Sequence, residues 1–131
     1  MTASERAAFV RVAILGLGAL AFAASASAMP VSAFLSKIDK LAKAGAVATM
    51  SSDASLIKKE LEDDAAALRA ERLAATQSGK APAYCPDAES GPPSLEEIVA
   101  GLKAVPEAKR SGTEVKDALR AFMAKRFPCS R

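Results

Sequence analysis

Two cysteines, and only two, restrict this chain most. They stand at Cys85 and Cys129, in the contexts Tyr84-Cys85-Pro86 and Phe127-Pro128-Cys129. Between them lie two amphipathic segments. The first opens at Ser94-Leu95-Glu96-Glu97, a capping-box sequence in which the serine caps and the glutamate reaches back. Leu95, Ile98, Val99 and Leu102 follow at spacings of 0, 3, 4 and 7. Pro106 ends it, because the residue before a proline avoids the α region. Pro106 to Gly112 reads as a turn or short helix. Thr113 is the expected cap of the second segment, and Val115, Ala118, Leu119, Phe122 and Met123 are its inner stripe. Phe127 is expected in the core, and Pro128 stops the helix. A short connection makes the two helices antiparallel neighbours. Both cysteines then lie at one end of the pair and can bond. Catalytic cysteine pairs are usually C-x-x-C; this distant pair reads as a structural staple.

Upstream of the hairpin the composition favours helix. Alanine dominates the apolar residues, and Ala, Leu, Lys, Glu and Arg are the best helix formers. Pro30 suits a first turn. Val31, Phe34, Leu35, Ile38, Leu41 and Ala42 make a stripe, and Gly45 is a stop. Ala46 to Met50 reads as a buried turn or one helical turn. Ser51-Ser52-Asp53 offers caps for the longest helix, running to Gln77 with a stop at Gly79. Its expected core stripe is Ile57, Leu61, Ala65 and Leu68, widened by Leu56 and Leu73. The linker from Ser78 to Pro93 carries Gly79, Pro82, Pro86, Gly91, Pro92 and Pro93, and no regular element survives there. The expected fold is all-α: a small bundle of about four helices with a disulfide-closed C-terminal hairpin.

The N-terminus reads as an export leader. Arg6 and Arg11 precede a thirteen-residue apolar and glycine run, Val12 to Ala24, and Ala26-Ser27-Ala28 fits the small-residue cleavage rule. The run is shorter than the roughly 20 residues of a membrane span. The expected domains are residues 1–28, a cleaved signal, and residues 29–131, one helical domain, periplasmic or secreted. An exported chain with two cysteines carries one disulfide.

Many chemistries are excluded or disfavoured. The chain has no histidine, which removes imidazole triads and metal sites. It has no phosphate-binding glycine loop. Glu60, Glu62, Asp63 and Asp64 form a carboxylate run that reads as a solvated face. The expectation is therefore no enzyme, with no catalytic, cofactor or metal residues and no cofactor. The mature part has 16 basic and 14 acidic residues, too balanced for a nucleic-acid partner. Candidate partner-binding residues are Tyr84 in the linker and Lys116 and Arg120 on the last helix. A local basic excess surrounds those two cations: Lys109, Arg110, Lys125, Arg126 and Arg131. A solvated helix face is the plainer account of that excess.

Cys85-Pro86, the helix Leu95 to Leu102, Pro106-Glu107-Ala108-Lys109-Arg110, Val115, Ala118-Leu119 and Phe127-Pro128-Cys129 together resemble the C-terminal half of the Rap/Tai family. Its members are small exported helical immunity proteins against type VI secreted amidases. The resemblance implies a protein partner, a secreted amidase effector whose active site is blocked. Members often carry a second cysteine pair and a Gly-rich Y-x-x-G helix in the first half; the helix from Asp53 to Gln77 has neither, and no family interface residue carries over. Two other readings stand beside it. One is a periplasmic stress protein comparable to the HdeA-like acid chaperones, whose switch would use Asp and Glu below about pH 5. The other is a structural helical domain, with a homodimer formed through the Ala-rich helix.

Overall fold

The computed structural model describes residues 28–130. Apart from Ala28, the expected leader lies outside them, as does Arg131. Four α-helices make the fold: α1 (Val31–Ala44), α2 (Ser52–Gln77), α3 (Leu95–Lys103) and α4 (Val115–Arg126). Two 3-10 turns, Gly45–Met50 and Glu107–Lys109, complete the regular structure. Among the described residues there is no strand, only one isolated antiparallel bridge between Pro30 and Glu114. The all-α expectation holds.

The boundaries follow from local chemistry. The α1 helix starts after Pro30, whose extended backbone leads into the first turn, and Gly45 closes it at φ 66, a conformation that costs glycine little. Ser51 caps α2 through its hydroxyl, which accepts from Ala54 N. Ser94 and Glu97 form the full capping box at α3. Arg110 closes the other end of α3: its guanidinium donates to the carbonyls of Lys103 and Val105 at 2.8 and 2.9 Å. These acceptors belong to the helix end, where carbonyls lack intrahelical partners.

The start of α4 differs from expectation. Glu114 occupies the cap position and makes no side-chain cap bond. Thr113 instead donates its hydroxyl to Lys109 O, and its carbonyl accepts from Val31 N at 2.9 Å. Val115 N donates to Met29 O at 2.9 Å. Pairing with the incoming chain at Met29–Val31 therefore sets the start of α4, in place of a local cap.

The core has two parts. Val31, Phe34, Leu35, Ile57, Leu102, Val115 and Ala118 form one cluster, where all four helices meet. Leu68, Tyr84, Leu119 and Phe127 form the second, toward the disulfide end. Helix α3 packs tightly on α4 because Gly101 has no side chain: a Cβ there would lie 2.5 Å from the Phe122 ring. Burial corrects several expected positions. Leu56, Leu73 and Leu95 are about half exposed, at 47, 48 and 49%. Each sits at the margin of its helix's apolar face, where no second helix arrives. Ala42 and Ala65 are exposed too. The expected buried turn keeps only Ala48 inside; Val47 and Met50 are 83 and 93% exposed.

Cys85 and Cys129 are bonded, with Cα atoms 4.9 Å apart. Cys85 N also donates to Phe127 O at 2.8 Å, so backbone and sulfur tie the linker to the end of α4. The antiparallel hairpin brings the cysteines together as its helix order requires. A closed disulfide suits an oxidising compartment. No helix among the described residues is long and apolar enough to cross a membrane.

Candidate functional site: an apolar groove with an arginine wall

Helix lengths create the groove. At 26 residues α2 extends about 39 Å, whereas α4, at 12 residues, extends about 18 Å. Neither α4 nor the nine-residue α3 can cover the whole apolar side of α2. The linker returns alongside, leaving a cavity of about 530 Å³ between α2, the linker and the second core cluster. Leu61, Ala65, Leu68, Arg69 and Arg72 contribute the α2 wall. Pro86, Asp87, Ala88, Gly91, Pro92 and Pro93 form the linker rim. Tyr84, Ile98, Leu119, Met123 and Phe127 complete the lining.

The rim is shaped by its sequence. Asp87 turns the linker by accepting from Ser90 N at 2.6 Å and Glu89 N at 3.1 Å. The bonds to Ser90, followed by that to Glu89, hold the Asp87 carboxyl below its usual range. Gly91 at φ 64 redirects the chain into Pro92 and Pro93, which have no N–H to present to the cavity. The result is an apolar surface bounded by few polar groups.

Arg72 is the exception. Its guanidinium lies 5.8 Å from the centroid of the Tyr84 ring, within reach of a cation–π contact. Its Nε is buried and has no hydrogen-bond partner. The Arg72 guanidinium lines the cavity, and no carboxylate pairs with it among the described residues; its charge therefore suits a ligand carrying an anionic oxygen. Among the described residues no cluster of three or more Cys, Asp or Glu side chains could hold a metal ion.

The candidate partner-binding residues separate in space. Tyr84 is 5% exposed and forms part of the groove lining and the second core cluster. Lys116 and Arg120 lie on another face, where they tie α4 to α2. Arg120 donates to both Glu71 carboxylate oxygens at 2.9 and 3.0 Å, and to Asp117 at 2.7 Å. Lys116 is 3.8 Å from Glu71. Arg126, also in the basic excess, pairs with Glu97 at 3.2 Å. Of the acidic run on α2, Glu62 and Asp63 are exposed and pair with Lys58 and Lys59, whereas Glu60 and Asp64 are half-buried, against the expectation of a solvated face, because they turn toward the incoming chain and α4. Arg69 and Arg72 escaped the sequence analysis as groove residues. Their spacing with Leu61, Ala65 and Leu68 along one side of α2 was the only available signal.

Fold and site define the class as an all-α, disulfide-closed bundle with a lateral apolar groove. Compared with protein-family models, curated proteins and solved structures, the chain matches none.

Proposed function

We propose that this is an exported, non-enzymatic binding protein, processed after Ala28, whose groove seats an apolar segment of a protein partner. The segment carries a carboxylate that meets Arg72. The observation that supports this reading is the Arg72 guanidinium, without a carboxylate partner among the described residues, in the wall of a mainly apolar cavity. The resemblance to the Rap/Tai family suggests a specific form of it, in which the partner is a secreted cell-wall amidase whose active site is blocked. Balanced charge and the absence of histidine agree with a role in binding rather than catalysis.

The test is calorimetric titration of the purified mature protein with candidate cell-wall amidases. Wild type is expected to bind one of them. Ala65→Trp, which fills the groove from an exposed position, and Arg72→Glu are expected to weaken that binding at least about tenfold, or ~1.4 kcal/mol. Far-UV circular dichroism confirms that both variants fold. Binding that survives both substitutions rules out the groove, and failure of every amidase rules out the immunity form. A free fatty carboxylate that binds where no protein does would rule out the protein partner.

The acid-responsive alternative makes its own prediction. A lysine hydrogen bond from Lys37 lowers the Asp53 pKa, and a backbone bond at Ser94, followed by Arg126, lowers that of Glu97. Asp87 is lowered as well. Depressed carboxyls contribute stability above their unfolded pKa values, near 4, and lose it as pH falls through the folded ones. Asp64, pushed up to about 6 by burial, works the other way and favours the fold as pH falls through that value, so helical circular dichroism and the thermal midpoint are expected to hold or rise slightly down to about pH 4 and to decline below it. Loosening already complete at pH 5 would contradict this assignment of the titrating groups.

A further inference from the structure

We propose that processing after Ala28 gives the fold a charged anchor: the α-ammonium released on Met29 is held by Glu60. The inference rests on the reading of residues 1–28 as a cleaved leader. Met29 N donates to Glu60 Oε1 at 3.1 Å, across 31 positions of sequence. The residue is fixed on its other side as well, since Met29 O accepts from Val115 N at 2.9 Å. Val31 N–Thr113 O and the Pro30–Glu114 bridge hold the next residues. Few positions near a chain end are tied so closely, and the tie ends on a carboxylate.

Glu60 belongs to a group of carboxylates with one lysine beside it. Asp64 lies one turn beyond Glu60 on α2, and its Oδ2 is buried without a hydrogen-bond partner. Burial first, then the Glu60 charge, push the Asp64 carboxyl up to about 6. On the α4 side, Glu114 and Lys116 flank Val115 and both act on Asp64, Lys116 drawing its carboxyl back down and Glu114 adding a weaker push up; Lys116 also faces Glu71. A peptide N–H at Met29 supplies one donor and no charge. An ammonium supplies three donors and a positive charge where the carboxylates repel one another.

The step is amide hydrolysis by the leader peptidase of the export machinery. Water adds its hydroxyl to the Ala28 carbonyl, the C–N bond to Met29 breaks, and the amine leaves protonated. Ala28 is exposed, whereas Met29 is half-buried and bonded. Pairing raises the α-amine pKa. Its stabilisation is then present below the ordinary value of about 8 and is lost as pH rises through the higher folded value.

The experiment expresses the full chain with export and sequences the N-terminus of the purified product. It then follows N-terminal-selective acylation against pH. The product is expected to begin at Met29, with its α-amine titrating about one unit above the ordinary value of ~8, so that acylation near neutral pH is about tenfold slower than in Glu60→Gln. Glu62→Gln, on the exposed face, is expected to leave the rate unchanged. A chain that begins at Met29 with an α-amine titrating near ~8 overturns the anchor and leaves processing intact. A different first residue overturns both. Should Glu60→Gln fail to fold, the wild-type titration alone decides.

Discussion

Replacing Cys85 and Cys129 together by alanine is expected to lower the unfolding free energy by about 4 kcal/mol, read from denaturant midpoints under oxidising conditions. The figure follows from the loop that the bond closes, with a sequence separation of 44. In the denatured chain the bond removes the freedom of that loop, and loop-closure entropy grows slowly with length. For a domain of this size, total stability is on the order of 5–15 kcal/mol, so the bond is a large share. The loss is expected to be uneven. Tyr84 and Phe127 flank the two cysteines and belong to the second core cluster, whereas the first cluster is built by α1, α2, α3 and α4 away from the bond. Hydrogen exchange in the double variant is therefore expected to accelerate first at Tyr84–Pro93 and at the end of α4, so that the groove opens before the bundle unfolds. A loss below about 1 kcal/mol would mean that the reduced denatured chain is already compact.

Phe34→Ala is expected to cost about 3–5 kcal/mol, the second large effect. Phe34 is fully buried, at 0% exposure, in the cluster where the four helices meet. Truncation removes its transfer free energy and leaves a cavity that surrounding helices can only partly close. Leu95→Ala is the useful comparison. The residue is apolar and sits at an inward-reading position of α3, yet it is 49% exposed. Its truncation is expected to cost about 1 kcal/mol or less, because roughly half its surface already faces water. Equal costs at the two positions would overturn the division between core and margin described above.

Much of this division was hidden from the sequence for a physical reason. A helical stripe marks which side of a helix is apolar, but not how wide a band its neighbours cover. Leu56, Leu73 and Leu95 lie within the expected stripes and are left at the edge because the opposing helices are short or cross elsewhere. Thr113 carried a good capping signature and is used differently, since the incoming chain at Val31 takes its carbonyl. Lys116 and Arg120 read as a basic face, whereas Glu71, some 49 positions before Arg120, lies opposite both. The groove was equally hidden: it arises from the mismatch between a 26-residue helix and its shorter partners, closed by a linker whose path no local rule gives.

What the sequence determined by itself is local in origin. The serine caps at Ser51 and Ser94 and the stops at Gly45 and Pro106 each depend on residues within a turn or two of one another, and the two cysteines, 44 positions apart, meet because a short connection makes the helices between them antiparallel. Tertiary structure decided which apolar side chains are covered, which charges are paired, and that Arg72 lines a mainly apolar cavity. Those outcomes depend on contacts between residues far apart in the chain, and such contacts exist only after the helices have packed.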